Sequence, residues 1–132
     1  MLYTKVNKKH VDFFITQLGL SNVLFDSACN EYGSDHTENL HYPPDLVLFP
    51  KSTKQVALVL KYCNDNKIAV TPSAALTGLS GGAIPVFGGI SLSMKKMNKL
   101  ISVDDKNFQA IVEPGLINEE FQNILKEKKL FY

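Results

Sequence analysis

Asp45–Pro72, DLVLFPKSTKQVALVLKYCNDNKIAVTP, carries the reading that decides the fold. Asp45 to Phe49 is a short apolar run stopped by Pro50, the pattern of a buried strand. Ser52 followed three residues on by Gln55 reads as a capping box. Val56, Val59, Leu60 and Cys63 then recur at i, i+3, i+4 and i+7, the apolar stripe of an amphipathic helix. Asp65-Asn66 closes that helix, and Ile68 to Thr71 is β-branched and apolar, a second strand. A strand, a helical crossover and a strand form a unit suited to parallel pairing, so the expected class mixes α and β structure.

Working outward, Val11, Phe14, Ile15 and Leu18 repeat the helical spacing, with Gly19 placed to end the helix. Residues 26–44 are polar, rich in turn formers and end in Pro-Pro, which predicts an irregular approach segment. On the other side, Ile90, Leu92 and Met94 alternate with Ser91, Ser93 and Lys95, as in a strand with one buried face. Ile101–Val103 and Phe108–Val112 flank Asp104-Asp105-Lys106-Asn107 and predict two strands joined by a polar turn. Asn118 is expected to cap a last helix, with Glu119 and Glu120 in its first turn, Phe121, Ile124 and Leu125 inward, and Lys126, Lys128 and Lys129 near its end. The division that follows is an N-terminal helix and approach segment, 1–42, and a main unit, 43–132.

Composition excludes several functions. A net charge of +1 gives no broad field for nucleic acid or an anionic membrane. Cys29 and Cys63 have no metal-ligand spacing, so no metal site and no disulfide framework is expected, and a reducing cytoplasm is the default location. The first residues mix Lys, His and Asp among the apolar ones, unlike a signal peptide. Ile68 to Met94 carries no charge, but two prolines, five glycines and six Ser or Thr argue against a membrane helix.

The chemistry-bearing stretch is Thr71–Pro85, TPSAALTGLSGGAIP. It follows an expected strand, and small residues let backbone N–H groups approach a diphosphate without Cβ interference. The spacing is neither G-x-G-x-x-G nor a P-loop, and a strand rather than a helix comes next. On spacing alone, tight turns explain these glycines as well as a phosphate cradle does.

With Pro44–Thr53, Ile68–Pro72 and Thr77–Pro85 in this order, the chain resembles the FAD-binding PCMH-type domain, and within it the glycolate oxidase D subunit and D-lactate dehydrogenase group. Tyr32-Gly33-Ser34-Asp35, Glu113-Pro114-Gly115 and Leu130-Phe131-Tyr132 resemble further landmarks of that domain. The resemblance implies an α+β fold, with a first α/β subdomain complete and a second only begun. It also implies an FAD diphosphate held by the loop Pro72, Ser73, Ala74, Ala75, Leu76, Thr77, Gly78, Ser80, Gly81 and Gly82, with Pro114 and Gly115 near the flavin. His10, His36 and His41 lie outside this loop, so the flavin is expected to be non-covalent.

The family loop has the form P-R-G-A-G-T-G-L-S-G-G-A. Ser73 stands here for the Arg, and Ala74 and Leu76 for glycines. If positions 74 and 76 need φ > 0, each non-glycine costs roughly 1 kcal/mol or more, and the leucine side chain would intrude on ligand space. Ala74→Gly with Leu76→Gly would then restore an open loop. The resemblance places the remaining cofactor contacts and the catalytic residues later in the family's chain, so no residue here is assigned a catalytic role. The expected partner is a second chain completing the flavin domain, or a second copy; a non-catalytic remnant is the alternative expectation. The histidines are read as solvated, Glu119-Glu120 as a response to the helix dipole, and Lys95, Lys96 and Lys99 as a solvated strand end, with a phosphate-binding role for these lysines left open but backed by nothing specific in the sequence.

Overall fold

The first helix, α1, spans Lys8–Leu18 and ends at Gly19, whose φ of 87° suits a residue without Cβ. This computed structural model describes residues 3–37 and 39–132; Met1, Leu2 and Glu38, which belong to the N-terminal and approach segments read above, lie outside the described residues. Asn7 caps α1 by accepting from the N–H groups of Lys9 and His10, while His10 Nδ1 accepts from Asn7 N–H at 3.2 Å. His10 is therefore not solvated as expected: it is only 5% exposed and meets Tyr62 edge-on.

Strand β1 (Val23–Phe25), which has no alternation to betray it, pairs antiparallel with β2 (Leu46–Leu48). Between them Asp26–Gly33 forms a 3-10 helix where irregular chain was expected. Helix α2 covers Thr53–Asn66, with Ser52 Oγ accepting from Gln55 N–H at 3.3 Å. The expected box is offset by one residue, because Gln55 Oε1 accepts from Lys51 N–H instead. Lys67 takes a left-handed conformation and Ile68 N–H bonds back to the Cys63 carbonyl. Those bonds consume the residues expected to open the next strand, so β3 runs Val70–Ser73.

Strand β4 (Ile90–Ser93) enters between β2 and β3, parallel to both, giving the order β1-β2-β4-β3. The strands joined by α2 are thus parallel but not neighbours. Pro72 is accommodated because β3 is an edge strand, paired with β4 on one side only, so that a residue there can turn its N side to the unpaired edge. One sheet face, including Leu46, Leu48, Ile90 and Leu92, packs on Phe14 and Leu18 of α1 and Val59 and Cys63 of α2. The other is covered by Cys29 and Tyr32 of the 3-10 helix over Val47 and Phe49, with Leu76 packed against them. Ser91 and Ser93 are buried too, contrary to the single buried face expected of β4, because a second layer covers the opposite face.

Beyond the sheet, Met94–Lys96 makes a 3-10 turn, so Lys95 and Lys96 are not strand residues. A separate hairpin follows, β5 (Leu100–Asp104) and β6 (Gln109–Val112). Phe108 falls in its turn at φ 53° rather than in the strand, and Asp104 Oδ1 accepts there from the N–H groups of Lys106 and Asn107. Helix α3 spans Asn118–Glu127; Ile117 occupies the cap position and Asn118 makes no capping bond. Phe121 and Leu125 are its buried residues. Among the described residues no helix is long and apolar enough to cross a membrane.

Candidate functional site

The carboxyl ends of parallel strands are where an open α/β sheet leaves a crevice, since successive connections diverge there. Here β3 releases the glycine-rich loop and β4 releases the Met94–Lys96 turn, side by side. Ser73 and Ser91 lie beneath the loop with hydroxyls 3.2 Å apart. Side chains this small let the loop sit close to the sheet.

The approach segment ties the loop down from the other side. His36 N–H donates to the Gly78 carbonyl at 3.0 Å, and Gly81 N–H donates to Thr37 Oγ1 at 2.7 Å. Asp35 Oδ1 accepts from Thr37 N–H at 2.8 Å, and hydrogen bonding to Thr37 holds the Asp35 carboxyl below its ordinary range. Asp35 Oδ2 is buried without a hydrogen-bond partner among the described residues, 3.4 Å from where a Cβ on Gly78 would stand.

Two adjoining hollows open at this edge. One, about 340 Å³, is lined by Pro72, Ser73, Ala74, Ala75, Leu76, Thr77, Gly78, Ala83 and Met94. The other, about 320 Å³, lies between Ala74, Ala75, Lys95, Asn98, Gly115, Ile117 and Glu120. Ala74 and Ala75 border both, so the hollows form one groove. Ser80, Gly81, Gly82 and Pro114 line neither. Gly115 is set against the turn after β4: its N–H donates to the Met97 carbonyl at 2.7 Å, and a Cβ there would run into the Met94 carbonyl. A third hollow, about 340 Å³, is walled by the hairpin and α3 residues such as Val103, Phe121 and Leu125; it is apolar and lies apart from the loop.

The groove suits a ligand rich in acceptors. Among the described residues, the backbone N–H groups from Ala75 through Ser80, and that of Gly82, donate to no acceptor in the protein. Exposed backbone donors clustered on a turning loop make an anion-binding concavity that needs no basic side chain. Gly82 has nothing within 4 Å of an added Cβ, so that arm is open. These features fit a diphosphate.

The two departures from glycine behave differently. Leu76 has φ 59°, the left-handed conformation expected to cost a non-glycine residue. Its side chain packs against the buried cluster of Cys29, Tyr32, Val47 and Phe49, which offsets part of that cost. Ala74 is not in the left-handed region, so alanine there carries no such penalty and the expectation for this position is corrected. Sequence reasoning left Lys95 without a specific role and missed Asn98 as a groove residue; the available signal was that both lie in the connection that leaves a strand of the parallel sheet.

A profile of the family described as "FAD binding domain" matches residues 44–132. A D-lactate dehydrogenase of Anaerostipes hadrus is 35% identical over 98% of this chain and 28% of its own length. Glycolate oxidase subunit GlcD of Bacillus subtilis is 33% identical over 76% of this chain and 22% of its own. Among solved structures, p-cresol methylhydroxylase with substrate bound superposes with a TM-score of 0.82 at 30% identity, over 98% of this chain and 27% of that one. The chain therefore spans about a quarter of the length of the relatives it matches.

Proposed function

The chain belongs to the family of FAD binding domains, and from that premise we propose that the groove at the ends of β3 and β4 cradles the diphosphate of a non-covalently held FAD. The observation that carries this reading is the run of backbone N–H groups from Ala75 through Ser80 that, among the described residues, donate to no protein acceptor, beside a groove lined by the same loop. Loop residues Pro72 to Gly78 would border the diphosphate, Gly81 and Gly82 would complete the outer arm, and Gly115 would close the groove from the side of α3.

Bound flavin supplies a hydride acceptor, and relatives named D-lactate dehydrogenase and glycolate oxidase subunit point to a 2-hydroxy acid as the donor. This chain's part is to bind and orient through backbone amides; among its residues none is assigned proton or hydride transfer. Adding FAD to the purified protein tests the reading. A flavin absorbance that stays with the protein and a raised melting temperature are expected, whereas colourless protein with no thermal shift rejects it.

A second reading is a partner-dependent or non-catalytic flavin domain, favoured by the exposed hairpin of β5 and β6. Strand β6 is exposed throughout, Phe108 is 82% and Phe131 89% exposed, and a two-stranded sheet is marginal alone. A second chain completing the domain, or a second copy, would cover this face. Two free, buried thiols are compatible with the reducing cytoplasm we assign to it.

A further inference from the structure

The loop that borders the groove has no charge of its own, since none occurs from Ile68 to Met94. The first charged residue after it is Lys95, carried on the turn that leaves β4. Its Nζ lies 3.4 Å from the Tyr32 hydroxyl and 5.0 Å from the centre of the Tyr32 ring. Tyr32 is buried and packed edge-on to Phe49, so this cation rests on a fixed aromatic surface. Among the described residues the ion pairs are Lys8–Asp12 and Lys61–Asp65, which leaves Lys95 without a carboxylate partner. Lys95 and Glu120 are the charged residues on the wall of the hollow between Ala74, Ala75 and Gly115, so without the lysine that wall would present only negative charge.

We propose that Lys95 is the anion-recognising side chain of this groove: an ammonium held on Tyr32 that swings to a diphosphate bound against the Ala74-Ala75 arm, supplying the positive charge the loop lacks. This rests on the reading of the groove as a diphosphate cradle and names the side chain that would make it selective for charge. Lysine suits the role because its ammonium is a mobile point charge on a flexible stem.

The test titrates inorganic pyrophosphate and FAD separately into the wild-type chain and into Lys95→Gln, Lys95→Arg and the distant Lys106→Gln. Expected are about ten-fold weaker binding of both probes by Lys95→Gln, near-normal binding by Lys95→Arg and Lys106→Gln, and a wild-type affinity that falls with added salt. FAD binding that is the same in wild type and Lys95→Gln overturns the proposal while leaving the flavin reading intact. Equal weakening in the Gln and Arg variants also overturns it, because the charge would then be irrelevant. Lys95-dependent pyrophosphate binding without FAD binding supports the proposal and rejects the flavin reading alone. Wild-type protein that binds neither probe rejects both.

Discussion

Replacing Gly89 by alanine places a methyl carbon against the carbonyl of Ala69, with the Ala69 carbonyl carbon and Cβ each 3.1 Å away. That carbonyl already accepts from Ile90 N–H at 2.9 Å, and Gly89 itself receives the N–H groups of Asp45 at 2.8 Å and Leu46 at 3.1 Å. The backbone here is therefore held from both sides, at the point where β4 slides between β2 and β3. Gly89 also has φ 70°, which costs an alanine about 1–2 kcal/mol. Overpacking against a backbone that cannot retreat adds about 1–3 kcal/mol. The combined loss of roughly 2–5 kcal/mol is a large share of a total stability of about 5–15 kcal/mol. At a urea dependence of about 2 kcal/mol per molar, a loss of about 3 kcal/mol lowers the unfolding midpoint by about 1.5 M. Gly82→Ala is the matched control: it has no atom within 4 Å of the added carbon and no left-handed φ, so its midpoint should stay within about 0.25 M of wild type. Equal midpoints for the two variants would falsify the argument that close backbone approach, rather than glycine as such, is what position 89 requires.

At position 76 the order of stability should be wild type, then Leu76→Gly, then Leu76→Ala, because both variants lose the packing against the cluster of Cys29, Tyr32, Val47 and Phe49 but only glycine escapes the left-handed penalty. The gap between the two variants should be about 1 kcal/mol in urea melts, and alanine proving the more stable rejects the assignment of strain. Burial, and then the neighbouring Lys9 charge, hold His10 below its ordinary value of 6.5, so between the lowered folded value and 6.5 the unfolded chain binds more protons. Stability should therefore fall as pH drops below about 6.5, as His10 gains a proton and ceases to accept from Asn7 N–H. His10→Gln, which keeps an acceptor at that position, should lose less between pH 7.5 and pH 5; parallel pH profiles for the two proteins would reject a role for this histidine.

What lay open in the residues themselves was local. Ser52 and the Val56, Val59, Cys63 stripe place α2 because capping and helical periodicity act within one or two turns. The polar turn at Asp104–Asn107 is equally self-contained, with Asp104 bonding to Lys106 and Asn107. The loop from Pro72 to Gly82 could be located by its glycines and its order after a strand, and its resemblance to a known flavin domain agrees with the family profile. Its groove could not be located so, because the groove is made by contacts across long separations. Thr37 meets Gly81, Met97 meets Gly115, and Lys95 meets Tyr32, and no periodic pattern links residues so far apart.

The same reason separates the helices, which the sequence determined, from the sheet order, which only the tertiary structure decided. A helix closes its hydrogen bonds within itself, whereas a parallel strand takes its partners from elsewhere in the chain. Thus β4 came to lie between β2 and β3, and Ser91 and Ser93, polar by composition, were buried once the 3-10 helix and the loop covered their face. Leu76 is the sharpest case. Its identity announces a departure from glycine, but the fold alone sets its φ of 59° and turns its side chain toward a core that partly offsets the strain.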